Sequence, residues 1–296
     1  MMPEGPEVRK IVERLDKHSS NGILKELGFV DPRYSPGGTQ LRDDYDALIS
    51  ALPVKIHGVR CHGKFIYWEL DGFVIFHTLG MNGTWRERCP SKNHRLTFNI
   101  EKANGKDMKL YYKDSRCFGT FKVFQQPVAQ EKLVKKITKD LGPDLLNQPA
   151  IAKEEVLARF RKHQQKSLPE VLMNQRIFAG IGNYLKAEIL HECGLSPHTL
   201  VRELSDKELL HLHHIARWHI KASYDARGAT IRDYVLPDGS IGSAQYKFKV
   251  YSQRMCKTCG NATIRQNTAD KRATWWCDTC QKVPSSSVMA QTKLFF

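Results

Sequence analysis

Three things are scarce or absent in this 296-residue sequence. It has no uninterrupted apolar run approaching the roughly 20 residues that cross a bilayer, and no apolar leader. A membrane-embedded or exported protein is therefore not expected. A reducing, cytoplasmic interior is, and with it thiols rather than disulfides. Acidic residues are few, 31 against 46 basic ones, which leaves a formal charge of +15 and a pI near 9.4. A field of that sign favours a polyanionic partner, most simply nucleic acid. Internal repeats are absent, which excludes a solenoid. What remains is a chain 41% hydrophobic, long enough for two domains and a small module.

The two ends carry most of the chemistry. The chain starts Met1-Met2-Pro3-Glu4-Gly5-Pro6-Glu7. With Met2 as the start and then removed, Pro3 would present a free secondary amine beside a carboxylic acid. A free α-amino group has a pKa of about 7.7–8.0, so roughly a tenth is unprotonated at pH 7. Attack of such an amine on an aldehyde or a sugar C1′ gives a charged iminium, an electron sink for elimination. If either Met stays attached, the nitrogen is a tertiary amide and inert. The same residues also suit an ordinary helix entry, with proline in the first turn and acids against the dipole.

Near the other end, Cys256-Lys257-Thr258-Cys259 and Cys277-Asp278-Thr279-Cys280 have the spacing of a tetrahedral zinc site. Between them Ala262–Trp276 reads as a hairpin with arms at Ile264 and Thr274-Trp275-Trp276. Cys61, Cys89, Cys117 and Cys193 stand singly and read as ordinary thiols.

Val8, Ile11, Val12 and Leu15 predict an amphipathic helix over Glu4–Lys17. From Gly22 to about Gln126 the pattern is short β-rich runs: Lys64–Leu70, Phe73–Leu79, Arg95–Ile100, Lys109–Tyr112 and Thr120–Phe124, with a hairpin turn at Asp71-Gly72. This predicts an antiparallel sandwich or barrel. Charged Glu131–Lys139 and Leu141–Asp144 read as a linker. Helices follow: Leu168–Gln175, Asn183–Cys193, and one opened by the capping box Ser205–Glu208, running to about Ala226 and ended by Gly228. The glycine-rich joint Phe178–Gly182 could offer backbone amides to a phosphate, or be a plain corner. His211, His213, His214 and His219 read as a solvated helix face in preference to a metal site.

Taken in order, Pro3–Glu7, Gly63-Lys64, Leu79-Gly80-Met81-Asn82-Gly83, Asp114-x-Arg116-x-Phe118-Gly119, Gly180-Ile181-Gly182-Asn183-Tyr184 and the cysteine ribbon with Arg272 resemble the formamidopyrimidine-DNA glycosylase and endonuclease VIII (Fpg/Nei) family of base-excision repair enzymes. The resemblance spans about residues 3–282. It implies an α+β multidomain fold: an N-terminal helix with an antiparallel β-sandwich, a helix–two-turn–helix domain and a C-terminal zinc finger, with damaged double-stranded DNA between the lobes. The corresponding boundaries are 1–133, a linker 134–150, 151–247, 248–283 and a tail 284–296. It implies a bifunctional glycosylase and abasic-site lyase. Pro3 would be the nucleophile and form the Schiff base, Glu4 the proton donor, Lys64 a third catalytic-site residue, and β,δ-elimination would cut the strand. Glu7 would support the site. Met81 and Phe118 would fill the space of the flipped base, with Arg116 in the same DNA-binding turn. Asn183 and Arg272 would clamp phosphates, and Cys256, Cys259, Cys277 and Cys280 would hold one structural Zn²⁺.

The chain departs from that pattern in places. Cys117 stands where many members have an arginine that contacts the orphaned base, which puts the opposite-base preference in doubt. Thr78 replaces an often basic residue. Leu79–Gly83 and Asp114–Gly119 resemble the formamidopyrimidine branch, whereas Phe178–Leu190 and Phe248–Tyr251 resemble the endonuclease VIII branch. Oxidised pyrimidines and ring-opened or hydantoin-like purines are therefore expected ahead of 8-oxoguanine, with the loop Arg232–Gln245 at the lesion pocket. Gln291–Phe296 resembles a bacterial sliding-clamp peptide. A monomer is expected, in the cytoplasm, and nucleoid-associated if bacterial. Two alternatives stay open: a catalytically silent damaged-DNA-binding protein of the same fold, marked by an intact Met1-Met2, and a zinc-ribbon RNA-binding protein, marked by indifference to lesions.

Overall fold

A computed structural model describes residues 2–34, 41–90, 92–230 and 237–284. The proposed clamp peptide Gln291–Phe296 and residues 232–236 of the expected lesion loop lie outside the described residues. Among the described residues no helix is long and apolar enough to cross a membrane.

Helix α1 (Gly5–Ser19) buries Val8, Ile11, Val12 and Leu15, the stripe read from the sequence, against strand β3. The β-rich segment forms β1 (Ile23–Phe29), β2 (Leu41–Asp43), β3 (Val54–His62), β4 (Phe65–Leu70), β5 (Phe73–Thr78), β6 (Thr84–Arg86), β7 (His94–Glu101), β8 (Asp107–Lys113) and β9 (Thr120–Gln125), with helix α2 (Tyr45–Ala51) between β2 and β3. These nine strands make one hydrogen-bonded sheet in the order β2-β9-β5-β4-β3-β1-β7-β8-β6, antiparallel except for β2–β9. β1 and β3 are joined only at Ile23–Lys55 and Leu24–Val54, so the sheet turns a corner there. The two halves then close on one core, in which Trp68 of β4 meets Trp85 of β6 and Phe98 of β7 at ring-centre distances of 5.6 and 5.1 Å.

The segment read as a linker is ordered differently. Val128–Lys135 forms α3 and Lys136–Asp140 a wider helical turn. Ala129 and Leu133 pack on Phe65, Val74 and Phe124 across the outer face of the sheet. Its charge density hid an apolar face, Leu133 with Ile137 and Leu141 half-buried beside it, and tertiary packing of such a face is what stabilises most helices.

The second core is helical: α4 (Lys153–Arg161), α5 (Leu168–Met173), α6 (Asn183–Glu192) and α7 (Asp206–Asp225). Ser205 caps α7, its backbone N–H donating to Glu208 Oε2 at 2.7 Å and its Oγ accepting from Glu208 N–H at 3.3 Å. Gly228, at φ +77°, follows its end as expected. The histidines of α7 do not share one environment. His211 and His214 are exposed, but His213 is buried against Phe178 and His219 is half-buried. The stripe Leu209, Leu212, Ala216 and Ile220 places position 213 on its inner edge. A hairpin, β10 (Ile264–Asn267) with β11 (Ala273–Trp276), pairs Ile264 with Trp276 and packs on α6.

Candidate active site

Glycine-rich geometry joins the two lobes. The Gly5 N–H donates to the Gly180 carbonyl at 2.8 Å, which docks the start of α1 on the joint before α6. The Glu4 carboxylate then lies over the first turn of α6. It accepts from the backbone N–H of Gly182 at 2.7 Å, Tyr184 at 2.9 Å and Leu185 at 3.3 Å. A helix start has free amides and a positive dipole end that attract an anion. Here a carboxylate of the same chain occupies them, so these three amides are not free for phosphate. Glu4 is 1% exposed, and burial raises its pKa well above the usual carboxylate range; the nearby Lys64 charge opposes the shift and Glu7 adds to it.

Glu7 braces this arrangement from below. Its carboxylate accepts from Glu4 N–H at 2.8 Å, from Ala229 N–H at 2.7 Å and from the Tyr184 hydroxyl at 2.9 Å. Burial raises its pKa, while the N–H of Ala229 and Glu4 work against that rise. Tyr184 also meets Ser223 Oγ at 2.7 Å and stacks on Phe248 with ring centres 5.0 Å apart. Three glycines leave room for these contacts. A Cβ on Gly182 would overlap the Glu4 carboxylate carbon, one on Gly228 would lie 2.7 Å from Glu7 Oε1, and one on Gly63 would lie 2.7 Å from the Ala179 Cβ.

Lys64 is half-buried in the turn between β3 and β4. Burial lowers its pKa, and the charge of Arg272 lowers it further, while Glu4 and Glu7 act to raise it. The turn is pinned by Asp144, 1% exposed, whose Oδ2 accepts the Gly63 N–H at 2.6 Å and whose Oδ1 accepts the Leu146 N–H at 2.9 Å. Asp144 was read only as part of a linker; its Leu-Gly-Pro-Asp setting gives no hint of a partner 81 residues away. Pro3 is buried beside Glu4, with Met2 still joined to its nitrogen.

The predicted intercalating turns come together. A Cβ on Gly80, at φ +62°, would lie 2.5 Å from the Phe118 carbonyl carbon, so the two loops touch through backbone. Arg116 Nη1 lies 3.4 Å from Met81 Sδ, and Phe118 is 56% exposed. Buried Asp114 shapes the second turn: its carboxylate accepts the N–H groups of Arg116, Cys117 and Gly119 at 3.1, 3.0 and 2.8 Å, and the Tyr34 hydroxyl at 3.0 Å. Cys117 is 3% exposed, and its thiol lies 3.6 Å from the Asp114 carbonyl and 3.8 Å from Asp31 Oδ2. Thr78 hydrogen-bonds Thr120 Oγ1 at 2.8 Å.

Asn183, the first residue of α6, donates through Nδ2 to the Ala273 carbonyl at 2.9 Å, which puts it beside exposed Arg272. Lys186, one turn on, makes an ion pair with Asp270 at 2.7 Å, both side chains almost wholly buried. Glu188 accepts the N–H groups of Lys249, Val250 and Tyr251 at 2.7, 3.1 and 2.7 Å. One helix therefore fixes Glu4, the β10–β11 hairpin and the segment leading into the cysteines. Lys186 and Glu188 were not singled out in the sequence, where each looks like an ordinary helix-face charge.

The sulfurs of Cys256, Cys259, Cys277 and Cys280 lie within 4.8 Å of one another, with Cys259–Cys277 at 3.4 Å and Cys256–Cys280 at 3.9 Å. A tetrahedral ion with metal–sulfur bonds of about 2.3 Å separates sulfurs by about 3.8 Å. The four thiols therefore fit one metal ion. Cys61, Cys89 and Cys193 stand apart as free thiols.

This geometry can be set against known proteins. The formamidopyrimidine-DNA glycosylase N-terminal domain matches residues 2–121 and the formamidopyrimidine-DNA glycosylase H2TH domain residues 141–235. The formamidopyrimidine-DNA glycosylase of Bdellovibrio bacteriovorus is 32% identical over 95% of this chain and all of its own length. The chain belongs to the Fpg/Nei family. The corresponding Carboxydothermus hydrogenoformans enzyme is 36% identical, and endonuclease 8 of Klebsiella pneumoniae 28%, each over 95% of this chain and all of its own. Among solved structures, the Fpg protein of Thermus thermophilus is similar with a TM-score of 0.80 at 28% identity, over 96% of this chain and all of that one. A Lactococcus lactis Fpg bound to DNA and an inhibitor matches with a TM-score of 0.80 at 25% identity, over 95% of this chain and all of that one. The expected fold class is that of these relatives.

Proposed function

We propose that this chain, by family a base-excision repair DNA glycosylase with abasic-site lyase activity, works through a free Pro3 amine once Met1 and Met2 are removed. The observation that carries the reading is the Glu4 carboxylate held on the α6 amides, directly following Pro3 and within the field of Lys64. The Pro3 nitrogen attacks C1′ of the damaged nucleotide and the N-glycosidic bond breaks, releasing the base. Glu4, kept protonated by its buried setting, delivers its proton to the ring oxygen as the sugar opens. The amine's own proton neutralises the departing base, and the nitrogen lone pair then forms the C1′ iminium as the ring opens. The iminium draws electrons, so a proton leaves C2′ and the 3′ phosphate is expelled; a second elimination expels the 5′ phosphate. Lys64 supplies positive charge near the reacting phosphates. A flipped nucleotide leaves a gap that Met81 and Phe118 fill, at a cost in unstacking of a few kcal/mol. Arg116 lies beside Met81, and Asn183 with Arg272 grips the backbone.

The thiolate set suits Zn²⁺, which would hold the β10–β11 hairpin and thereby Arg272. The partner is double-stranded DNA with damaged bases or abasic sites; solved relatives include Lactococcus lactis Fpg bound to abasic-site DNA. The domain boundaries given above, a monomeric state, a cytoplasmic or nucleoid location and clamp binding through Gln291–Phe296 belong to the same proposal. So does the preference for oxidised pyrimidines and ring-opened or hydantoin-like purines over 8-oxoguanine. The buried Cys117 supports a weak opposite-base rule.

Borohydride trapping tests the core of it. Protein verified to begin at Pro3 is mixed with abasic-site duplex, reduced, and the cross-linked residue found by mass spectrometry. A Pro3 adduct is expected. A protein that binds the duplex yet gives no adduct would be the catalytically silent alternative.

A further inference from the structure

The outer face of the sheet carries a groove of about 360 Å³. Its floor is aromatic: Phe76 meets Phe65 and Phe124 edge to face, with ring centres 5.0 and 4.9 Å apart. Its rim is cationic, with Lys122 from β9, Lys132 and Lys135 from α3, and Lys136 just beyond. Lys132 Nζ stands 4.1 Å above the Phe124 ring centre and Lys136 Nζ 5.8 Å from that of Phe65, so the rings hold two ammoniums in place. One acid, Asp140, lines the same groove, 4.0 Å from Lys136. Four ammoniums gathered against one carboxylate leave an uncompensated positive field that an anion would relieve. One end of the groove adjoins the proposed site along the chain. Phe65 follows Lys64, and Thr78 in its lining precedes the Leu79–Gly83 turn.

We propose that this groove binds the phosphodiester backbone of the DNA strand as it leaves the cleft. The proposal rests on the DNA reading above and adds a contact surface to it. Because lysines roof the rings, the groove offers its charge to phosphates and not its aromatic faces to bases, so the contact is independent of sequence.

The test compares wild type with the triple variant Lys122→Gln/Lys132→Gln/Lys136→Gln, which removes the charges and keeps polar side chains. Binding is measured over a salt series to two abasic-analogue duplexes, one just long enough for the cleft and one extended on both sides. Each phosphate contact contributes about 0.9 to the slope of log affinity against log salt. The slope on the long duplex should fall by about 2–3 units in the variant, with affinity down tenfold or more, while the short duplex is unaffected. An unchanged slope on the long duplex, or an equal loss on both, would overturn the groove. Wild type that binds neither duplex would sink the DNA reading itself.

A separate observation concerns the metal centre. His191, in the last turn of α6, is buried, with Nε2 3.4 Å from Cys256 Sγ and no partner on Nδ1 among the described residues. The other buried sulfur, Cys277, faces the backbone N–H groups of Cys280 and Thr279. Exposed Cys259 has that of Asn261. Cys256 Sγ lies 3.9 Å from the Cys280 sulfur and within 4.8 Å of those of Cys259 and Cys277. A hydrogen-bond donor to a buried thiolate offsets the cost of taking its charge out of water. We infer that neutral His191 carries its proton on Nε2 and donates it to the metal-bound Cys256 thiolate, acting as a positioning residue. This rests on the zinc reading.

Metal analysis of the purified protein comes first: fewer than one zinc per chain would end the zinc reading and the His191 role with it. With zinc present, its release to a chelator should be about tenfold or more faster in His191→Phe, with partial rescue in His191→Gln, as for other residues that brace a metal ligand. Nitrogen NMR of the wild-type imidazole should show the proton on Nε2. Wild-type release from the Phe variant, or a proton on Nδ1, would refute the role.

Discussion

The Glu4 carboxylate and the Gly182 backbone stand so close that Gly182 has no room for a side chain: its N–H donates to Glu4 Oε2 at 2.7 Å, and a Cβ would overlap the carboxylate carbon. The contact joins residues 178 positions apart and makes the start of α6 the seat of the proposed proton donor. Gly182→Ala should therefore displace Glu4 without removing it. Single-turnover base excision should fall about 100-fold or more, the range expected for losing a general acid, while affinity for an abasic-analogue duplex changes little. Affinity and excision falling together would mean that α6, not Glu4, had been disturbed.

Lys186 and Asp270 form an ion pair with almost no solvent access, and it ties the β10–β11 turn to α6. Lys186→Met leaves the buried Asp270 carboxylate with the Thr268 hydroxyl and the Arg272 N–H but without its countercharge. Breaking a buried pair from one side costs about 3–5 kcal/mol, whereas replacing both members with apolar groups is often neutral. Urea denaturation should show the single variant strongly destabilised and Lys186→Met/Asp270→Leu close to wild type. A double variant as weak as the single one would mean that the pair is needed for more than its charge balance.

Several features could be read from the residues. The β-rich runs of the sequence correspond to β4, β5, β7, β8 and β9, and Asp71-Gly72 turns between the first two. The Ser205–Glu208 capping box opens α7, and Ile264 pairs with Trp276 in the expected hairpin. These signals are local. The corner at Leu24–Val54 that joins nine strands into one sheet is not local, and neither is the reach of Asp144 to Gly63. The charged helix α3 read as linker because only Ala129 and Leu133 are apolar inward, and the sheet face that rewards them is set elsewhere in the chain. For the site, the clustering of Cys256, Cys259, Cys277 and Cys280 was legible from their spacing. Lys186, Glu188 and Asp144 were not, since a charged residue declares its partner only once the chain has folded.

Metal removal should separate the two ends of α6. The hairpin is held by the cysteines on one side and by the Lys186–Asp270 and Asn183–Ala273 contacts on the other. Losing the ion would release the thiolates and loosen Arg272, because the binding free energy of a structural metal is also folding free energy. Affinity for abasic-analogue duplex should drop at least tenfold after verified metal removal and return on adding zinc. Full affinity in metal-free protein would refute the clamp role of the hairpin.

His213 gives the chain a measurable acid sensitivity. It is 7% exposed, packed on Phe178 at a ring-centre distance of 5.2 Å, and Nε2 has no partner among the described residues. Burial, aided by the charges of Arg217 and His214, lowers its pKa to about 4. In the unfolded chain the imidazole titrates near 6.5. The unfolded state therefore binds the proton first, and the stability associated with neutral His213 is complete above about pH 6.5 and is lost as the pH falls towards 4. His213→Leu removes this proton uptake and keeps the apolar contact. The stability difference between variant and wild type should shift in favour of the variant by about 2 kcal/mol between pH 7 and pH 5, as read from paired urea titrations. The groups with raised pKa values, Glu4 and Glu7, are common to both proteins and cancel in the comparison. A difference that stays constant across that range would mean that His213 takes up its proton in the folded state as easily as in the unfolded one.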